Sequence, residues 1–272
     1  MVKDFQLQQA AVTDNFLYYC NDLQDNMKRI ILIACAFLFF GKIHAQIGYQ
    51  TLTIPAPDGL TVTADLYVAD SAAPVILLCH QAGYSRGEYL ETAKRLQKFG
   101  FTSLAIDQRS GKECNAIRNE TARAAAIGHY QRNYIDARPD IAAGIDFLHS
   151  NYHRKVIVLG SSYSASLALV EAKENPNVAA VVVFSPGEYF GEKDFISKKI
   201  AGLDKPVFAT SSLSESAAVT DLLKDVTSAL KIQFIPTTEG NHGSKVLWPT
   251  NSNNQEYWLT LMAFLSKIKD IK

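Results

Sequence analysis

Lys155–Leu169, "KVIVLGSSYSASLAL", decides how the rest of the chain is read. The aliphatic run Val156–Leu159 meets Gly160-Ser161-Ser162-Tyr163-Ser164 and continues as a helix-forming series of Ala, Ser and Leu. The spelling is strand, tight turn, helix, with Ser162 at the turn in the pattern G-x-S-x-G. Ser164 stands where that pattern ends in glycine. Strand and helix can approach only if the flanking residues are small, and Gly160, Ser164 and Ala165 meet that demand.

The same alternation extends in both directions. "YQTLTIPAPDGLTVTADLYVA" carries period-two runs on either side of Pro55–Gly59, a hairpin signature. "APVILLCH" is an unbroken apolar run of the kind buried on both faces of a sheet. "GEYLETAKRLQKFG" reads as a helix with Leu90, Ala93, Leu96 and Phe99 on one face and Gly100 at its end. Strand "FTSLAID" follows, then helix "DARPDIAAGIDFLHSN" and, beyond Leu169, strand "VAAVVVFSP". The chain closes with strand "PVFATS", helix "AAVTDLLKDV", strand "KIQFIPTTE" and helix "NQEYWLTLMAFLSKIK". Strands alternating with helices predict a mostly parallel sheet covered on both faces. The segment between the strands ending at Pro186 and beginning at Pro206 is too short for a lid of several helices.

Composition sets few limits. The 272 residues carry 27 basic and 27 acidic side chains, and no basic block points to nucleic acid. From Met27, "MKRIILIACAFLFFGKIHAQ" has the charged start, short apolar run and small-residue end of a secretory signal peptide. The run Ile30–Phe40 is shorter than the ~20 residues that span a bilayer. Residues 1–26 are accordingly an expected upstream extension, 27–45 a leader cleaved after Ala45, and 46–272 a single exported domain, periplasmic or secreted, with no stable membrane association. Cys79 and Cys114 then remain, which permits one disulfide without requiring it. Neither cysteine has metal-ligand spacing, and no cofactor is implied.

Residues with chemical potential collect at strand ends, where reacting groups gather in parallel sheets. "VILLC" leads to His80-Gln81-Ala82-Gly83, "FTSLAI" to Asp107, "VIVLG" to Ser162, "PVFATSSLSE" to Glu215, and "KIQFIPTTEGN" to His242. A serine hydroxyl is a weak nucleophile without an adjacent base, and His242, between Gly240 and Gly243, is the candidate base. His149 and His153 lie four apart without a third ligand and read as solvated.

These five strand ends, in this order, resemble the α/β-hydrolase superfamily over nearly the whole expected mature chain, close to its dienelactone-hydrolase-like and small serine esterase branches. The resemblance implies an α/β-hydrolase fold. Its central sheet would be mostly parallel, of about eight strands, with an N-terminal antiparallel hairpin, helices on both faces and no large lid. It implies Ser162 as nucleophile, His242 as base and Glu215, nine residues after Pro206, as the acid, with Asp221 and Glu239 as alternatives. It implies an oxyanion hole from the N–H groups of Ala82 and Tyr163, a structural His80, and an Asp107–Arg109 ion pair bracing the loops. Gln81, Tyr84, Tyr189 and Trp248 are the candidate substrate-binding residues, with Phe190 a further apolar wall. The implied activity is hydrolysis of a small-molecule ester or acyl substrate through an acyl-enzyme. A serine peptidase or amidase using the same triad, and a non-catalytic binding protein on the same fold, stand as alternatives.

Overall fold

The alternation around Pro55–Gly59 folds as a hairpin: β1 (Gln50–Pro55) pairs antiparallel with β2 (Thr61–Tyr67). In the computed structural model, which describes residues 48–269 and Ile271, β2 also runs antiparallel to β4 (Thr102–Ile106). From there the sheet is parallel throughout, adding β3 (Val75–Cys79), β7 (Val156–Ser161), β8 (Val178–Phe184), β9 (Val207–Thr210) and β10 (Lys231–Phe234). The order across the eight strands is β1-β2-β4-β3-β7-β8-β9-β10. A two-stranded ribbon, β5 (Glu113–Cys114) and β6 (Ile117–Arg118), stands apart from it. The expected leader and the segment before it lie outside the described residues.

The central strands are buried on both faces, as their unbroken apolar runs require. Val75, Leu77 and Cys79 of β3 face one core while Ile76 and Leu78 face the other. The first core is completed by α3 (Arg138–Tyr152), α4 (Tyr163–Glu174) and α6 (Ser216–Leu222), the second by α1 (Leu90–Lys98) and α7 (Asn254–Ile268). Each fully buried Leu, Ile or Val side chain contributes about 1.5–3 kcal/mol against exposure, so the sheet's two faces carry most of the apolar stabilisation. Among the described residues no helix is long and apolar enough to cross a membrane.

Several expectations need adjusting. β10 stops at Phe234 rather than running through Glu239, because Pro236 has no N–H to continue a ladder. Phe99 does not join the buried face of α1; it is 45% exposed and packs beside Trp258 and Arg95. Two short helices, α2 (Glu120–Ile127) and α5 (Phe195–Ile200), form where no element was expected. The Asn119 side chain caps the first by accepting from the Ala122 N–H. Cys79 and Cys114 are both buried free thiols.

The expected Asp107–Arg109 pair does not form. Asp107 takes Arg86, at 2.7 Å, and the N–H groups of Arg86 and Glu120. Arg109 turns instead to Asp140 and Asp58, at 2.6 Å each. Asp107 and Asp140 are each fully buried and each is paired: Arg86 reaches Asp107 and also Asp65, at 3.0 Å, which leaves Arg109 to Asp140 and Asp58.

Candidate active site

The turn after β7 is built around Ser162, whose φ of +59° and ψ of −125° lie outside the regions a side chain prefers. The Ser162 N–H is held by the Phe184 carbonyl of β8 at 2.8 Å, and its own carbonyl accepts from Ala165 at 2.9 Å. Gly160 is required here: a Cβ would lie 2.5 Å from the Ser164 carbonyl oxygen and 2.6 Å from the Ala165 Cα.

Ser164 is accommodated because its side chain is used. Its buried hydroxyl reaches the carbonyl oxygens of Cys79 at 2.7 Å, His80 at 2.8 Å and Ser161 at 2.9 Å. One proton is shared among three acceptors, and the elbow is thereby fastened to the end of β3.

The structure brings Ser162, His242 and Glu215 into one hydrogen-bonded chain. His242 Nε2 lies 2.8 Å from Ser162 Oγ, and Nδ1 lies 2.5 Å from Glu215 Oε1. With Nδ1–H donating to the carboxylate, Nε2 is the lone pair facing the serine proton. Glu215 also accepts from the Ser185 hydroxyl at 2.7 Å and the Ser212 N–H at 3.2 Å. Burial pushes its carboxyl up, but the bonds from His242 and Ser185 outweigh that and hold it at about 2. Asp221 points away: its side chain is 77% exposed on α6 and pairs with Lys224. Glu239 accepts from Ser214 and does not reach the imidazole.

The turn after β3 faces the serine from the other side. His80 is fully buried; its Nδ1–H donates to the Gln81 carbonyl at 2.8 Å and its Nε2 accepts the Gln108 N–H at 2.9 Å. Burial lowers its pKa to about 4, which keeps it neutral and suits that bonding. The Gln81 carbonyl also accepts from the Tyr84 N–H at 3.2 Å. Since a trans peptide places N–H and C=O on opposite sides, fixing this carbonyl aims the Ala82 N–H the other way. The Tyr163 N–H lies in the first turn of α4, where no intrahelical acceptor exists. Two amides are therefore available to a developing oxyanion.

Gln81 itself is 7% exposed, and its side-chain oxygen lies where a Cβ on Gly243 would sit, 2.4 Å away. Tyr84 and Trp248 stack at 6.4 Å, and Trp248 Nε1 donates to the Glu88 carbonyl at 2.8 Å. Tyr189 is 37% exposed; its hydroxyl donates to the Ser185 carbonyl at 2.8 Å and stands beside Ser162. With Phe190, Tyr134 and Ile135 it lines a pocket of about 430 Å3 that also contains Arg132 and Asn133. Tyr134 stacks on Tyr163 at 4.6 Å, joining that pocket to the elbow. Among the described residues no cluster of three metal-ligating side chains occurs, and His149 bonds the Arg154 carbonyl.

Residues 70–234, which include the elbow and Glu215 but end before His242, match the profile of the serine aminopeptidase S33 family. The chain belongs to that family. It is thus a hydrolase of the α/β-hydrolase fold. It superposes on the dienelactone hydrolase of Anabaena variabilis with a TM-score of 0.63 at 19% identity, covering 81% of this chain and 98% of that one. The esterase Pf2001 of Pyrococcus furiosus gives 0.64 at 18% identity, over 81% and 93%. The acylaminoacyl peptidase of Pyrococcus horikoshii gives 0.60 at 14%, over 82% of this chain and 42% of that one. At these identities the likeness is one of fold. No curated protein matches the S33 chain in sequence.

Sequence reasoning passed over the residues that hold the site together. Ser185, at φ +51° after β8, donates to Glu215 and accepts from the Gly243 N–H at 2.9 Å. Its signal was only a serine following an apolar strand, which carries no specificity by itself.

Proposed function

We propose that the protein is a serine hydrolase that cleaves small-molecule esters through an acyl-enzyme. The observation that carries the reading is the chain Glu215–His242–Ser162, with its two contacts of 2.5 and 2.8 Å. In this mechanism the Ser162 proton passes to His242 Nε2 while Oγ bonds to the ester carbonyl carbon. The carbonyl electrons move to oxygen, where the Ala82 and Tyr163 N–H groups stabilise them, each by roughly 3–4 kcal/mol. Glu215 keeps the imidazole in the tautomer that can accept, and stabilises the cation that forms. Collapse expels the alkoxide, which takes the proton from Nε2. Water then repeats the sequence on the acyl-enzyme, releasing the acid and restoring Ser162.

The side chains of His242 and Glu215 are 38% and 32% exposed, which favours an open cleft and a small substrate. The aromatic pocket of Tyr134, Tyr189 and Phe190 is the wall against which an apolar acyl or alcohol group would lie. A peptidase reading draws on the family's description and on the acylaminoacyl peptidase among the structural neighbours. Short p-nitrophenyl esters and aminoacyl p-nitroanilides distinguish the two. Ester turnover that disappears in Ser162→Ala supports the esterase; anilide turnover with little ester turnover supports the peptidase. The export signal proposed for residues 27–45 predicts secreted material beginning at Gln46, which N-terminal sequencing checks.

A further inference from the structure

Glu88 sits in the short 3-10 turn Arg86–Tyr89 after the oxyanion turn, and it is completely buried. Oε2 accepts the Gln81 N–H at 2.7 Å, and Oε1 accepts the Ser244 hydroxyl at 2.6 Å. Ser244 follows His242 by two residues, and its N–H donates to Ser161 Oγ at 2.8 Å, next to the nucleophile. The Glu88 carbonyl takes Trp248 Nε1 at 2.8 Å, from the same stretch of chain as Ser244. One side chain therefore joins the turn that offers the Ala82 N–H to the loop that carries the base, with the elbow between them.

Nothing in the fold demands a carboxylate at that point. Its side chain meets a hydroxyl and a backbone N–H rather than an Arg or Lys. Burial pushes the carboxyl above its ordinary value, and the bonds from Ser244 and Gln81 offset that only in part. A buried carboxylate without a cation is costly to fold around. Charge-assisted bonds to two different loops are what it provides in return.

We propose that Glu88 is a positioning residue of this active site: by gripping the Gln81 N–H and the Ser244 hydroxyl at once, it sets the distance between the oxyanion donors and His242. The proposal rests on the acyl-transfer reading above. Displacing either loop leaves Ser162, His242 and Glu215 chemically intact but misplaced, and a shift of about 1 Å can cost 10²-fold in rate.

The test uses the full chain with Glu88→Ala and Glu88→Gln. Three quantities are measured: kcat and KM for p-nitrophenyl acetate, the rate of fluorophosphonate labelling at Ser162, and the folded fraction by circular dichroism. Folded Glu88→Ala should lose about 10²-fold in both kcat and labelling rate, with KM changed by less than about threefold. Glu88→Gln keeps an acceptor for Gln81 and can donate to Ser244, so it should recover at least about tenfold of that loss. Wild-type labelling rates in folded Glu88→Ala, a loss confined to KM, or a Glu88→Gln as slow as Glu88→Ala each overturn the proposal. If Glu88→Ala does not fold, Glu88→Gln decides alone: a loss greater than about 10²-fold in that folded variant overturns it. A wild-type protein that takes no label at Ser162 removes the acyl-transfer reading itself, and the proposal with it.

Discussion

The Ser164 hydroxyl lies 2.7 Å from the carbonyl oxygen of Cys79, across the gap between the first turn of α4 and the last residue of β3. A glycine at this position would let strand and helix approach, but it could not tie them. Both groups are fully buried, so the bond forms away from water; its loss leaves the Cys79 carbonyl with the Tyr89 hydroxyl alone, at 2.7 Å, and takes the Ser164 donor from the His80 carbonyl.

Restoring the familiar pattern should therefore harm this protein. Ser164→Gly is expected to cost about 1–3 kcal/mol in urea unfolding, the penalty of an unsatisfied buried acceptor. A variant as stable as wild type would show that the hydroxyl is incidental.

Glu215→Gln should leave the fold in place and lower kcat by roughly 10⁴, the size of a mis-set imidazole tautomer. Asp221→Asn should leave kcat unchanged and alter stability by no more than about 0.5 kcal/mol, since its side chain is exposed on α6. The Glu215 carboxyl is held at about 2, below its unfolded value of 4.5. Its contribution to stability is present above the unfolded value and is lost as pH falls through about 2. In acid titrations the stability difference between wild type and Glu215→Gln should be constant above about pH 4.5 and shrink as pH falls from there toward 2.

His80 gives the opposite end of the acid range. Its folded value of about 4 lies below the unfolded 6.5, because burial opposes the charged ring. Between those values the unfolded chain binds the extra proton, so stability is full above about pH 6.5 and declines toward pH 4. At 1.36 kcal/mol per pKa unit, the loss attributable to this residue is about 3 kcal/mol. Urea unfolding at pH 7 and pH 4 should show a drop larger by about that amount in wild type than in His80→Gln. Equal slopes would mean the ring is not held neutral.

The sheet was legible because its strands are buried on both faces, and such strands spell unbroken runs such as Val75–Cys79 and Val178–Phe184. The residues that meet at the site were legible for a related reason: a parallel sheet delivers its strand ends to one edge, so Ser162, Glu215 and His242 could be placed without knowing any contact. What was not legible depends on pairing across long separations. Glu88 and Ser244 are 156 residues apart in sequence, and neither has a local pattern that names the other. Arg109 and Asp107 show the same limit from the other side. They lie close in sequence and suggest a pair, whereas each pairs with a partner more distant in the chain, Asp107 with Arg86 and Arg109 with Asp140. Short helices such as α5, six residues long, carry too few turns to leave a periodic trace.

The central claim is that Ser162 is the nucleophile. Incubation with a fluorophosphonate, followed by proteolysis and mass spectrometry, tests it most directly. One adduct per chain is expected, on Ser162, formed in wild type and absent in Ser162→Ala. Labelling confined to another serine, or a folded and unlabelled wild-type protein, would contradict it.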